Sequence, residues 1–279
     1  MKALPSKIIF ATLLASAMST QVLAEEAAVV NAADSSSDTT DESSVSLSAN
    51  VAFVSDYRFR GWSQTATEAA VQGGFDLDFG NGAYAGVWAS NVDFKVGEPE
   101  NEGTMEMDVY AGYAGSFADT GVDYDFGYIY YGYPGSDSLE QFASQSKPAF
   151  DYQEVYGSLS VAGFTAGLSY SDDYWLESGA FYYISLGYDY ELPQGFNLAL
   201  HYGLNNFEYT TSDSNLKNAE LAFLGDGEDS YSDWSVGVSK AFFGLNADLT
   251  YVATDVSDDA CWNTDNCSDT LVFSLSKSL

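Results

Sequence analysis

The chain has 279 residues, with 9 Lys and Arg against 41 Asp and Glu, so its formal net charge is −32. A charge this negative argues against nucleic acid as a partner, because phosphate binding needs a basic surface. With 2 Cys and 1 His, the sequence holds neither a disulfide scaffold nor a clear metal centre, and we expect no cofactor and no bound metal. The hydrophobic share of 46% and the aromatic share of 16% are too high for a disordered acidic chain and favour many strands.

Residues 1–24 have the features of a secretory signal peptide. Lys2 and Lys7 precede an apolar stretch, and Val22-Leu23-Ala24 places small residues at the −3 and −1 positions of a cleavage site. The apolar stretch is shorter than the roughly 20 residues of a membrane-spanning helix. The sequence therefore predicts export and cleavage near Ala24.

Residues 25–44 are acidic, rich in Ser and Thr, and without any basic or aromatic residue. Such a segment buries too little apolar surface to offset the entropy cost of ordering it. We predict a disordered lead here, followed by a barrel domain over residues 45–279. A role of the lead as a plug or as a binder of divalent cations is the alternative.

From Ser46 onwards, apolar and polar residues alternate, which is typical of strands with one apolar and one polar face. Met105, Met107 and Val109, for example, alternate with Glu106 and Asp108. Twelve segments have this pattern: 46–60, 68–79, 82–94, 104–117, 120–132, 151–161, 164–172, 180–192, 195–207, 231–242, 244–254 and 269–279. Most are longer than the roughly 5–6 residues of a globular strand and match the 9–11 of a membrane strand.

Short and long connections alternate between these segments, as in outer-membrane barrels with short periplasmic turns and longer outer loops. The sequence therefore predicts an all-β fold, a closed up-and-down antiparallel transmembrane barrel of about twelve strands. A soluble barrel or sandwich is the alternative, because alternation does not tell which face points inwards. Acids on the polar faces and aromatic residues near segment ends, such as Tyr57, Phe59 and Tyr131, favour the membrane barrel.

Two stretches of the sequence resemble a known family. They are residues 46–61, which end in SDYRFRG, and residues 70–75 followed by 84–92, which read YAGVWASNV. Together they resemble the TorF family of proteobacterial porins, and the likeness continues to the closing residues 271–279. The resemblance implies an outer-membrane β-barrel with an undefined solute, and it brings no catalytic residues.

The last segment also reads as a signal for the barrel-assembly machinery. Leu271, Phe273 and Leu275 lie at alternate positions, although the chain ends in Leu279 rather than in an aromatic residue. Lys277 interrupts this face near the expected periplasmic end, where a lysine can reach the membrane interface. Lys240 occupies the same place on its own segment, which supports the predicted orientation.

If the apolar faces meet lipid, the polar faces line the lumen. The candidate lumen residues are Asn50, Asp56, Arg58, Arg60, Glu106, Asp108, Asp123, Asp125, Glu154, His201, Asn205 and Asp248. A twelve-stranded barrel is wider than the eight-stranded kind and narrower than a sixteen-stranded porin, so we expect a narrow path for small hydrophilic solutes. Acids outnumber bases on this face, which favours cations. A structural or adhesive barrel with a filled lumen is the alternative.

Arg58 and Arg60 are the only arginines in the chain and alternate on the first predicted strand. One interpretation places them opposite carboxylates, such as those of Asp56, Asp123 or Asp125, where they create a transverse field at a constriction. The alternative is that they neutralise wall acids and hold the shape of the barrel. The two roles are compatible.

His201 is the only possible histidine base, and its position in the alternation turns it towards the lumen. A lipid-hydrolysing site would need this side chain on the outside of the barrel. The sequence also lacks a GxSxG elbow. We therefore expect no enzymatic activity.

The predicted outer loops are acidic. Their acids are Asp226, Glu228, Asp229, Asp233, Asp255, Asp258, Asp259, Asp265 and Asp269. One interpretation is that they bind divalent ions that bridge to the phosphates of lipopolysaccharide. Lipopolysaccharide and the other outer-membrane lipids would then be partners of the protein. Solvated surface charge is the alternative.

Cys261 and Cys267 lie in the last predicted outer loop, in a chain exported to an oxidising space. Five residues separate them, enough for the loop to fold back and bring the Cα atoms within about 4.4–6.8 Å. A pair of free thiols and a zinc site are weaker alternatives, because oxidation is catalysed in the periplasm and no histidine lies near. The sequence predicts an intraloop disulfide with a local role.

Overall fold

The computed structural model describes residues 45–94, 103–136, 150–175, 178–208, 224 and 228–279. The predicted signal peptide, 1–24, and the predicted lead, 25–44, lie outside these residues. Within the described ranges, no helix has the length and apolar character needed to cross a membrane.

The described residues form twelve long strands and one small hairpin. The long strands are β1 (Ser46–Val54), β4 (Ala70–Asp78), β5 (Ala83–Asn91), β6 (Met105–Phe117), β7 (Val122–Gly132), β8 (Tyr152–Val161), β9 (Phe164–Ser171), β10 (Ala180–Leu192), β11 (Phe196–Glu208), β12 (Ser230–Phe242), β13 (Leu245–Thr254) and β14 (Thr270–Ser278). The hairpin consists of β2 (Arg58–Phe59) and β3 (Trp62–Ser63).

The twelve long strands close into one antiparallel barrel, in which each strand pairs with its neighbours along the chain. β1 closes the ring against β14, with Val51 opposite Lys277 and Phe53 opposite Leu275. This confirms the predicted pairing of the first and last strands. Closure leaves no strand edge of the barrel unpaired, which is the condition for a sheet in lipid.

The apolar residues of the alternating strands point outwards and the polar ones point inwards. Large exposed residues on the outside include Leu47, Val71, Phe75, Val109, Phe126, Leu159, Leu168, Leu186, Leu249 and Phe273. On the inside, Glu106, Asp108 and Glu154 are buried. In a soluble barrel the apolar side chains fill the interior. The opposite arrangement seen here is the one expected of a barrel surrounded by lipid.

Short turns connect the strands at one end of the barrel, which we call the inner end. Ala162 and Gly163 join β8 to β9, and Phe243 and Gly244 join β12 to β13, all with positive φ. Two successive residues in this region form the hairpin turn whose twist matches that of the strands. Lys240 and Lys277 lie near this end, as predicted. The opposite, outer end carries the longer connections.

The predicted strand over residues 46–60 is too long. β1 ends at Val54, and the chain then turns into the barrel through the β2–β3 hairpin, whose turn residues Arg60 and Gly61 have φ of 49° and 86°. Tyr57 and Phe59 were predicted to face lipid, but both are buried inside. The alternation of residue types continues past Val54, but residues 56–60 are buried at every position, so the pattern does not mark a lipid-facing strand there.

Candidate functional site

A segment that we call the plug, residues 55–67, crosses the lumen in the outer half of the barrel. The Tyr57 ring packs 5.6 Å from the Trp88 ring of β5. The Phe59 ring lies 5.8 Å from Tyr131 of β7. The plug also contacts β12, where the Tyr231 hydroxyl donates to the Arg60 carbonyl at 3.0 Å. The plug therefore narrows the lumen at this level.

Arg60 fixes the tip of the plug to the wall. Its Nη1 and Nη2 atoms donate to Oε1 and Oε2 of Glu154 on β8, both at 2.8 Å. The guanidinium also lies 4.7 Å from the ring centre of Phe59, 4.8 Å from Phe181 and 4.4 Å from Tyr183. Two parallel hydrogen bonds and these aromatic faces offset the cost of removing both charges from water.

Arg58 joins the base of the plug to the last outer loop. Its Nε donates to Asp56 Oδ2 at 2.6 Å. Its Nη1 donates to the carbonyls of Gly61 at 3.1 Å, Asn266 at 2.8 Å and Ser268 at 3.0 Å. Of the predicted partners, the structure brings Asp56 to Arg58, whereas Arg60 takes Glu154 and neither arginine bonds Asp123 or Asp125.

The loop that receives Arg58 contains the predicted disulfide. Cys261 and Cys267 are bonded, their Cα atoms are 5.9 Å apart, and both are buried. The Thr254 hydroxyl at the end of β13 donates to the Cys267 carbonyl at 3.1 Å. The disulfide prediction is confirmed, and the loop packs onto the plug rather than standing free in solvent.

A buried aromatic cluster surrounds the plug. Its members are Tyr57, Phe59, Phe94, Tyr131, Tyr133, Phe150, Tyr152, Tyr174, Phe181, Tyr183, Phe207 and Tyr231. Tyr131 was predicted at a membrane interface but lies inside. Burial raises the pKa of the Tyr174 phenol to about 12, although the nearby Arg60 charge acts in the opposite direction. The phenols around the plug therefore stay neutral at physiological pH and act as hydrogen-bonding spacers.

Glu106 and Asp108 point inwards from β6 at the level of the plug, and both are buried. The Tyr133 hydroxyl donates to Glu106 Oε1 at 3.2 Å. Burial, followed by the charges of Glu106 and Asp108, raises the pKa of the Tyr57 phenol well above its ordinary value. The two predicted lumen acids thus face the plug directly.

His201 lies below the plug in a cluster with Tyr183 and Asp233. The Tyr183 hydroxyl is 2.7 Å from His201 Nε2 and donates to Asp233 Oδ1 at 3.2 Å. The Asn205 amide donates to Asp233 Oδ2 at 2.9 Å. Asp233 was predicted in an outer loop, but it lies inside on β12, because that strand begins at Ser230. Of the other predicted loop acids, Asp226 lies outside the described residues.

We call the inner half of the lumen, below the plug, the vestibule. It is bounded by inward residues that include Asp76, Tyr84, Asp125, Ser158, Ala199 and Asp248. Ser158 and Ala199 are partly exposed although they point inwards, so solvent reaches them. Asp123 is exposed at the inner end, and Asp125 and Asp248 are buried in the wall. Among the described residues of this half, no lysine or arginine points inwards. Lys240 turns outwards, with Nζ 4.4 Å from the Phe196 ring centre.

The tyrosines of the vestibule lie flat against the wall. A Cβ atom at Gly86 would collide with the Tyr110 ring, and one at Gly112 would collide with Tyr84. Each tyrosine therefore covers a glycine on the paired strand, and its hydroxyl reaches a wall acid. Tyr110 donates to Asp76, and Tyr84 donates to Asp125 Oδ1 at 2.7 Å. Glycine in these positions keeps the rings out of the centre of the lumen.

A family model described as a bacterial protein of unknown function, Gcw_chp, matches residues 38–279. The chain belongs to the Gcw_chp family. A search of curated proteins finds no match. Membership of the Gcw_chp family agrees with a bacterial origin, and the narrower resemblance to the TorF family stays a prediction.

Several solved structures are similar to this Gcw_chp chain. A chain from a study of the in-meso crystallization of membrane proteins has 10% identity and a TM-score of 0.48, covering 84% of this chain and 83% of its own. The KdgM porin has 10% identity and a TM-score of 0.45, with coverages of 83% and 97%. The NanC porin has 12% identity and a TM-score of 0.45, with coverages of 83% and 98%.

Proposed function

We propose that the barrel is an outer-membrane channel for the passive diffusion of small hydrophilic solutes or ions, with a preference for cations. The observation that carries the proposal is the vestibule, a solvent-reached chamber lined by Gly, Ser and acids inside a barrel with an apolar exterior. Inward acids without inward basic residues at this level, among those described, attract cations and repel anions.

The proposed path has its constriction at the plug. Arg58, Arg60, Asp56, Glu106 and Asp108 lie at this level, whereas Asp123, Asp125, His201 and Asp248 lie below it. Solutes that pass from the vestibule to the outer end must skirt the plug or wait for it to move. We assign no catalytic role to these residues.

The same proposal places the chain in the outer membrane of a Gram-negative bacterium after cleavage near Ala24. Outer-membrane lipids and lipopolysaccharide would surround the apolar face. The outward residues Leu271, Phe273 and Leu275 of β14 support a role of this strand in recognition by the barrel-assembly machinery. We also propose that the chain is related to the TorF porins.

A structural or adhesive barrel without transport is the second candidate. The observation in its favour is the plug itself, which contacts β5, β7, β8, β10 and β12 and is held by two buried arginines. A plug bonded this firmly could close the lumen permanently, and the vestibule would then be a blind chamber.

Ion conductance in a planar lipid bilayer separates the two candidates. The wild-type protein is compared with a variant in which residues 56–66 are replaced by a short Gly-Ser linker. We expect wild-type conductance, larger currents from the variant, and reversal potentials in a KCl gradient that indicate cation preference. Silence of the wild-type protein at all voltages, with currents only from the variant, would favour the structural barrel. Chloride preference would refute the proposed selectivity.

A further inference from the structure

Tyr84 of β5 and Tyr156 of β8 form a flat aromatic surface in the vestibule, which we call the tyrosine platform. The ring end of Tyr84 occupies the place of a Cβ at Gly112, and that of Tyr156 occupies the place of a Cβ at Gly127. The two glycines are paired across β6 and β7, and the phenol groups meet over this pair. Both tyrosines are partly exposed. Because the glycines lie against one side of each ring, the other side borders the solvent of the vestibule.

The hydroxyl hydrogens of the platform are both used within it. Tyr84 donates its single hydrogen to Asp125 Oδ1 at 2.7 Å, so Tyr156 is the donor in the bond between the two phenols. An ionised carboxylate accepts hydrogen bonds and donates none. The platform therefore offers a solute two aromatic faces, oxygen lone pairs and a negative charge, but no hydrogen-bond donor of its own.

This combination of groups favours one class of ligand. An anion would meet a carboxylate and the negative faces of the rings, and a neutral acceptor such as a carbonyl would find no donor in the platform. A cation with N–H groups fits both properties, because the rings and the carboxylate attract its charge and the oxygens accept its hydrogens. A guanidinium group is the closest match, since it is planar and charged, carries only donors, and stacks on aromatic faces.

The plug already holds a guanidinium group of the chain in this way. The Arg60 guanidinium lies 4.4 Å from the ring centre of Tyr183 and 4.8 Å from that of Phe181, and two of its nitrogens donate to Glu154. Aromatic faces and one carboxylate are thus the surroundings of a cation inside this lumen. Among the described residues, no lysine or arginine lies over the rings of the platform, so the same combination is open there to a cation from outside the chain.

We propose that the tyrosine platform binds small organic cations that carry a guanidinium group, and that such cations are preferred solutes of the vestibule. The statement about solutes rests on the proposed channel function and narrows it from a preference for positive charge to a chemical class. The statement about binding does not depend on conduction, so the two are tested separately.

Saturation-transfer NMR of the barrel in detergent micelles tests the binding. Three ligands of similar size are titrated, and the signals of their ethyl groups are followed: ethylguanidinium, its neutral isostere ethylurea, and ethyltrimethylammonium, which has the charge but no N–H group. We expect saturable binding of ethylguanidinium and binding of ethylurea that is weaker by about tenfold or more. Ethyltrimethylammonium should fall between them, because it keeps the attraction to the rings and loses the hydrogen bonds.

Variants of the two rings test whether the platform is the site. Tyr84→Leu and Tyr156→Leu each remove one aromatic face and should weaken ethylguanidinium binding about three- to tenfold. Tyr156→Phe keeps the face and should stay within about twofold of the wild-type affinity. Tyr190→Leu is the matched control, because Tyr190 lies on the outer face of β10 with 52% exposure, and it should bind as the wild type does. The heat-modifiable gel mobility of each variant checks that the barrel is folded.

Two binding results would overturn the proposal. Wild-type affinity in both leucine variants would place binding away from the platform. Ethylurea bound as tightly as ethylguanidinium would mean that the positive charge is not recognised.

Bilayer recordings separate this inference from the channel function. Current carried by ethylguanidinium, reduced in both leucine variants, would support the class of solute. A barrel that prefers K⁺ to chloride but does not bind ethylguanidinium would keep the channel function and refute the platform as a site. A barrel that binds ethylguanidinium but passes no current would keep the site and refute its role in transport.

Discussion

Arg60 and Glu154 stand 94 residues apart in sequence and meet through two hydrogen bonds of 2.8 Å inside the barrel. The arginine comes from the tip of the plug and the glutamate from the inward face of β8. Both side chains are almost fully buried, so the pair is a buried polar connection between the plug and the wall.

Removal of one partner of this pair should destabilise the barrel strongly. Arg60→Met leaves Glu154 charged and unpaired, with an expected loss of about 3–5 kcal/mol in unfolding free energy. The double variant Arg60→Met/Glu154→Leu should recover most of that loss, because no buried charge remains. Urea titrations followed by tryptophan fluorescence measure both. Lys240→Ala, which removes an exposed cation–aromatic contact, is the control and should cost about 1 kcal/mol or less. Equal losses in all three variants would contradict the pairing.

Reduction of the Cys261–Cys267 disulfide should have a local effect. The bond closes a short loop, so its loss should cost about 2 kcal/mol or less in unfolding free energy. The barrel should keep its heat-modifiable mobility on gels, in Cys261→Ser/Cys267→Ser as well as under reductant. Thiol titration of the untreated protein should find no free cysteine. Unfolding of the barrel on reduction would mean that the disulfide stabilises the whole barrel and not only the last outer loop and the plug.

Cation preference should depend on the vestibule acids. Asp125→Asn/Asp248→Asn removes two carboxylates from the wall of the proposed path, so the reversal potential in a KCl gradient should move towards zero. Asp259→Asn, which removes an exposed acid of the last outer loop, should leave the reversal potential close to the wild-type value. An equal shift in the two variants would locate selectivity at the loops.

Gly86 should be intolerant of a side chain. The Tyr110 ring occupies the space of the missing Cβ, so Gly86→Ala must push this ring towards the centre of the vestibule. We expect a loss of about 1–3 kcal/mol in stability and a smaller single-channel conductance. Gly187→Ala serves as a control, because its Cβ would meet only ordinary contacts of 3.8 Å. Unchanged conductance in Gly86→Ala would mean that Tyr110 does not border the path.

The strands of the barrel wall were predictable from the sequence, but the plug inside the lumen was not. Strands exposed to lipid on one face carry a period of two, which gave the strand number, the closure and the outward face. The plug was not predicted because the SDYRFRG sequence continues the two-residue alternation of β1 although the chain has already turned into the lumen. Its one signal was Gly61 after Arg60, a pair suited to a tight turn. The partners of Arg60 and the unpaired state of Asp108 depend on contacts between distant segments, which no local pattern encodes.

The seam of the barrel lies between β1 and β14. Their paired register, from Asn50 opposite Ser278 to Val54 opposite Ser274, is the shortest between adjacent strands of the barrel. Arg58 follows β1, and the carbonyls of Asn266 and Ser268 that accept its hydrogen bonds precede β14. This one side chain therefore connects the two strands of the seam at its outer end. In an assembling barrel, the first and last strands meet at the end of the process. The two loop carbonyls therefore come within reach of Arg58 only once the ring is shut, so these two bonds mark a barrel whose assembly is complete.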